Sequence, residues 1–229
     1  MRSLSKVIVI FVLLLINLTG VVFLVYGETF LIPKSNFTEI KFNDIEKHNI
    51  EKIKQINTDV TRMIHFNDRS LVVVQSQDNK EYLSIDIEKD KDKMGTLFQT
   101  KEINEESLNI VIYGHSSSKN NTRLTPLKNT RYVKANSLFT VTDKQQDTKY
   151  QIIAYLNVDL DNLHLPFYRA NWRTKSEFID YLKKANKESI IEFSIENLEE
   201  VEKCLTLVTC DLRKKSQRWI VIAIPIYHS

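Results

Sequence analysis

Cys210 closes an apolar run, Leu205 to Val208 with Thr206 interleaved and Thr209 after it, and Arg218 follows eight residues later. A β-branched and aliphatic run of this kind reads as a buried strand with Cys210 at its tip. The next seven residues, DLRKKSQ, are mostly polar or charged, and Trp219 to Ile226 is apolar again. Strand, short connection and strand bring the Cys210 thiol and the Arg218 guanidinium to one rim of a sheet. A cation beside sulfur favours the nucleophilic thiolate. A lone cysteine is more often a small core residue, and His115 is what shifts the balance. It follows a second apolar run, Leu108 to Tyr113, after Gly114, where a glycine lets the chain turn sharply and expose a side chain. Thiol, imidazole and guanidinium at three strand ends suit acyl transfer. Cys210 would attack a backbone carbonyl, His115 would protonate the departing amine and deprotonate the incoming one, and Arg218 would bind peptide and stabilise the oxyanion. Arg213 competes for the last role, but Arg218 opens a strand that fixes its position.

Other chemistries lack their residues. After Gly27 the chain holds only Gly95 and Gly114, which excludes a glycine-rich phosphate loop or dinucleotide fingerprint. No His or Cys pair has zinc-ligand spacing, so neither metal nor cofactor is expected. The 32 basic and 29 acidic side chains nearly balance, and nucleic acid is not an expected partner. If Cys204 and Cys210 share one extended strand, six steps of about 3.3 Å hold them roughly 20 Å apart, far beyond the ~7 Å limit for bridged Cα atoms. Cys204 is then a core residue and Cys210 a free thiol.

The runs TLVTC and NIVIYGH, with an arginine opening the next strand, resemble the sortases, cysteine transpeptidases of bacterial cell surfaces, and class B among them. The resemblance covers nearly the whole chain after its first apolar segment. It implies a closed eight-stranded β-barrel with N-terminal helices and a helix inserted between late strands. It also implies cleavage after Thr of a C-terminal sorting signal, Leu-Pro-x-Thr-Gly or Asn-Pro-x-Thr in kind. A thioester on Cys210 would then pass to an amine of a peptidoglycan precursor. By the same resemblance Asn79, Leu83, Tyr113 and Thr209 line the peptide groove, and Leu163 and His164 lie on a connection that forms its wall. Val72, Thr100 and Val208 stand where the family often carries Pro, Asp and Ser. These departures keep two alternatives in view: a cysteine endopeptidase of thiol-protease type that releases its product to water, and a peptide-binding module without turnover. Pilin polymerisation would differ only in the acceptor amine.

Val7 to Tyr26 carries no charge and at about 1.5 Å per helical residue spans roughly 30 Å, the depth of a bilayer core. Arg2 and Lys6 precede it, which orients the N-terminus to the cytoplasm and the rest outside. No small-x-small cleavage site stands at its exit, so the run reads as an uncleaved single-pass anchor in the cell membrane. The expected organisation is a cytoplasmic tip at 1–6, the anchor at 7–26, a linker at 27–41 and one catalytic domain at 42–229.

Within that domain Asn43 with Glu46, then Phe42, Ile45, Ile53, Ile56 and Val60, predict one or two amphipathic helices over 43–60. His48 and His65 read as surface or helix-flank residues. Strands are expected at 71–75, in MGTLFQ, at 108–113, 137–142, 150–156, 190–194 and in the two runs around Cys210, with a turn over 79–83. Thr174 with Glu177 caps a helix whose face is Phe178, Tyr181, Leu182 and Ala185. Eight strands in mostly antiparallel order suit a small closed barrel.

Overall fold

A computed structural model describes residues 50–75, 77–117, 123–144, 146–195, 197–210 and 216–226. All of them lie in one compact unit, Phe37 to Ser229. Val7 to Tyr26, Asn43, Glu46, His48, His228 and Arg213 lie outside the described residues, and for Cys210 the description is of the backbone. Among the described residues no helix is long and apolar enough to cross a membrane.

Eight strands carry the domain: β1 (Val60–His65), β2 (Ser70–Val74), β3 (Leu97–Gln99), β4 (Asn109–Gly114), β5 (Leu138–Asp143), β6 (Gln146–Asp159), β7 (Cys204–Cys210) and β8 (Gln217–Ile226). They close into a barrel in the order β1-β2-β3-β4-β7-β8-β6-β5. Pairing is antiparallel except for β2 with β3 and β4 with β7. Among the described residues three α-helices accompany them: α1 (Ile50–Lys54), α2 (Thr130–Ala135) and α3 (Lys175–Lys187). The inserted helix α3 starts where the sequence indicates, with the Thr174 hydroxyl accepting from Glu177 N at 3.2 Å.

Side-chain alternation sorts the strands into separate cores. Leu205, Leu207, Val221 and Ala223 pack in one cluster with Ile64, Ile112 and Tyr155. Their neighbours Val208, Ile220 and Ile222 pack on the other face, under Phe178, Tyr181 and Leu182 of α3. A strand buried on both faces reads as a near-continuous apolar run, as β8 does from Trp219 and β7 does apart from Thr206, whose buried hydroxyl is bonded to Asn109, and Thr209 near its end. A third cluster sets Ile50 and Ile53 of α1 against Val60, Met63, Val72 and Val74.

Three local expectations are corrected. Among the described residues the helix over 43–60 is the five-residue α1, and Val60 belongs to β1. Asn57 ends the helix: its amide donates to Tyr82 Oη at 2.7 Å and Ile87 O at 2.9 Å, and its carbonyl accepts from Asp59 N. His65 is therefore a strand residue, with Nδ1 2.8 Å from Ser70 Oγ and Nε2 2.9 Å from Thr142 Oγ1. Residues 190–194 are not a strand. One main-chain bond to β6 remains there, Ile190 N to Tyr155 O at 2.8 Å; Tyr155 N donates instead to Ser189 Oγ, which donates to Ile191 O, so a side chain takes the place of the ladder's next bond. The count of eight holds because β1 stands in for that segment.

Asn109 fastens the barrel to the connection after β6. It is fully buried; its amide donates to Phe167 O and Arg169 O, both at 2.9 Å, and its Oδ1 accepts from Thr206 Oγ1 at 2.7 Å.

Candidate active site

Parallel strands that start together end together. β4 and β7 run in register from Asn109 opposite Cys204 to Gly114 opposite Thr209. β8 returns antiparallel to β7, with Arg218 paired to Cys210 and Trp219 to Thr209. The chain therefore delivers the residue after β4, the last residue of β7 and the second of β8 to one rim. A cavity of about 340 Å³ opens there, and His115, Arg218, Thr209, Tyr113, Leu83 and Asn79 all line it. Six residues singled out from sequence are thus brought together, beside the backbone of Cys210.

His115 is half-buried, and its Nε2 lies 3.0 Å from the carbonyl oxygen of Leu83. A carbonyl only accepts, so Nε2 carries the proton of this bond. Nδ1 is left as the nitrogen that can gain and lose a proton, a tautomer set by the partner of the other nitrogen. Leu83 ends a 3-10 turn, Glu81–Leu83. Gly95 packs against that turn with φ +57°, and a Cβ on it would fall 2.2 Å from Tyr82 O and 2.8 Å from Leu83 C. Gly114 has a different reason from the one expected. Its φ is not in the left-handed region, but a Cβ there would lie 2.9 Å from Leu124 Cγ and 3.1 Å from Leu97 Cγ. Close packing beneath the imidazole, not a sharp turn, calls for glycine.

Arg218 is half-buried, and its Nη1 donates to Gln217 O at 2.9 Å. Burial raises the Tyr113 phenol above its ordinary pKa while the positive charge of Arg218 pulls the other way, so the guanidinium acts across the cavity. The Tyr113 ring stacks on Phe98, which also lines the cavity, at 5.8 Å between centroids. Thr209 is 2 % exposed, and its hydroxyl has no hydrogen-bond partner among the described residues. A buried hydroxyl in a cavity wall is satisfied when water or peptide enters. Asn79 is already engaged: its Oδ1 accepts from Lys101 N at 2.8 Å and its amide donates to the Glu102 carboxylate. It shapes the wall through these bonds. Val208 and Thr100, two of the departures from the family pattern, line the same cavity.

Leu163 and His164 are not brought to this cavity. Both are exposed on the connection after β6, and His164 Nε2 pairs with Glu188 at 2.9 Å. Their neighbours Leu165 and Phe167 are the buried ones, so that connection serves chiefly to pack α3. A larger cleft, about 710 Å³, lies around Arg62, Gln75 and Lys203, where β4 and β7 begin. It contains neither His115 nor Arg218. Asp86, Glu88 and Asp90 bring their carboxylates within 4.8 Å of one another, but Asp86 Oδ1 accepts from the backbone of both others, as a turn-forming residue does. Phe98 and the Leu83 carbonyl were missed from sequence. Phe98 sits in the run already read as strand, whereas a main-chain carbonyl leaves no mark in residue type.

The sortase domain family matches residues 63–226. The chain belongs to the sortase family, and its function is that of a cell-wall cysteine transpeptidase. Sortase B of Staphylococcus aureus is 24 % identical over 183 residues, covering 76 % of this chain and 72 % of that one. The structure of Clostridium perfringens sortase B superposes with a TM-score of 0.70 at 26 % identity, over 77 % of this chain and 99 % of that one. A Staphylococcus aureus sortase B–substrate complex shares the fold with a TM-score of 0.70 at 19 % identity, over 80 % of this chain and 87 % of that one. These relatives are class B sortases, and the barrel with its helix between β6 and β7 is the sortase B fold.

Proposed function

We propose that this sortase is anchored in the cell membrane by Val7 to Tyr26, with its catalytic domain outside, and acts on surface proteins bearing a C-terminal sorting signal. The signal is of the Leu-Pro-x-Thr-Gly or Asn-Pro-x-Thr kind and is cut after threonine. The carrying observation is the shared rim, with His115 and Arg218 lining one cavity beside the backbone of Cys210. The Cys210 thiolate attacks the threonine carbonyl carbon, and Arg218 stabilises the oxyanion that forms. As the C–N bond breaks, Nδ1 of protonated His115 gives its proton to the departing amine. A cell-wall amine then attacks the thioester, the C–S bond breaks, and Nδ1 takes the proton back. The Leu83 carbonyl keeps Nε2–H in both protonation states.

The test uses the full chain in detergent with quenched peptides of both motifs, with and without triglycine, beside Cys210→Ala. Thiol-dependent cleavage with the product trapped on triglycine is expected. Cleavage to acid only would favour a hydrolytic endopeptidase, and peptide binding without cleavage a binding module.

A further inference from the structure

We infer that Arg123, through Asp92 and Gly95, is the positioning residue that holds the Leu83 carbonyl on His115 and so sets which imidazole nitrogen works; this rests on the transpeptidase reading of the site. Arg123 lies eight residues after His115, in the same connection between β4 and α2. Its side chain is 1 % exposed, and Nη2 reaches Asp92 Oδ2 at 2.8 Å. Nε donates to Gly95 O, also at 2.8 Å. Its φ of 53° lies in the left-handed region, a conformation an arginine keeps only where its surroundings over-determine it.

Both anchors bear on the Leu83 turn. Asp92 N donates to Ser84 O at 3.0 Å, and Gly95 N donates to Asp92 O at 3.0 Å. Thr96 N donates to Tyr82 O at 3.0 Å. Gly95 is pressed so closely on the turn that a Cβ would sit 2.9 Å from Leu83 O, the atom that receives the imidazole proton. One buried guanidinium thus ties the segment after the base to the turn that orients it. Two fixed donors on a planar fork can do this; a lysine ammonium, a single flexible point, cannot hold both acceptors in the same way. When the clamp is released, the Leu83 carbonyl moves away from Nε2 and the neutral imidazole is free to carry its proton on Nδ1, the wrong form for accepting one.

The full chain in detergent, labelled with ¹⁵N-histidine, gives two readouts: the ring nitrogen shifts of His115, assigned with His115→Gln, and kcat for peptide transfer to triglycine. Arg123→Gln is expected to bring in the Nδ1-protonated form of His115 and lower kcat by roughly 10- to 100-fold, the scale of a misplacement near 1 Å. Arg123→Lys should fall between this variant and the parent. If Arg123→Gln does not fold, Asp92→Asn carries the same two readouts with the side-chain shape retained. A folded Arg123→Gln or Asp92→Asn with His115 still protonated on Nε2 and kcat within about twofold of the parent would overturn the inference. If the parent itself cleaves no peptide, the transpeptidase reading fails, and the imidazole tautomer alone decides the clamp.

Discussion

Two cysteines lie on one strand, β7. Cys204 is fully buried and its thiol donates to Asn109 Oδ1 at 3.3 Å; burial pushes that thiol far above its ordinary pKa. A thiolate-seeking reagent at pH 7 should therefore modify the native protein once, at Cys210, and leave native Cys210→Ala unlabelled, as read by intact mass. A labelled Cys204 in the folded variant would refute this account of the strand. At this scale the sequence was informative where chemistry depends on residue type. His115 and Arg218 could be named because an imidazole and a guanidinium at strand ends suggest a use. The Leu83 carbonyl could not, since every residue carries one. Gly114 was legible as a requirement but not as a reason: its neighbours Leu124 and Leu97 are ten and seventeen residues away in sequence, and only the fold brings them underneath.

Elements were legible in proportion to how evenly they are buried. β7 and β8 are apolar on both faces and stand out of the sequence. β1 begins three residues after Asn57 and mixes Thr61 and Arg62 with apolar neighbours, so its start merged with the helical pattern before it. Residues 190–194 have strand composition, but Ser189 Oγ takes the Tyr155 N–H that a ladder would need and leaves a single main-chain bond, Ile190 N to Tyr155 O. The joint made by Asn109 was equally hidden, because its partners Phe167, Arg169 and Thr206 lie far along the chain. Asn109→Ala would leave the Phe167 and Arg169 carbonyls without this donor and the Thr206 hydroxyl without this acceptor, the Phe167 and Thr206 groups in the buried interior and the Arg169 carbonyl at its edge. A loss of about 2 to 4 kcal/mol in unfolding free energy is expected, since each orphaned group costs about 1 to 3 kcal/mol. Urea denaturation measures it, and a loss under about 0.5 kcal/mol, the range of an ordinary surface substitution, would show that the joint contributes little.

For the molecule as a whole, the cores hold several groups that ionise only in strong base. Burial raises the Cys204 thiol and the Tyr82 and Tyr181 phenols well above their ordinary values of 9.0 and 10.0. The folded state keeps these protons while the unfolded chain sheds them. Above pH about 9 the unfolded state binds fewer protons, so stability falls as pH rises, by up to about 1.4 kcal/mol per pH unit for each group. Below that pH all three are protonated in both states and contribute no slope. Thermal midpoints measured from pH 7 to 11 should stay level with respect to these groups and then drop; a midpoint that holds through pH 11 would contradict the burial seen here.

The register of Cys210 with Arg218 is fixed by the five strand pairs beneath it, from Leu205 opposite Ala223 to Thr209 opposite Trp219. The seven residues that join the two in sequence do not set it. Insertions, deletions and exchanges in that joining stretch can therefore accumulate without separating Cys210 from Arg218. Descendants of one barrel can diversify what they accept beside an unchanged reaction centre.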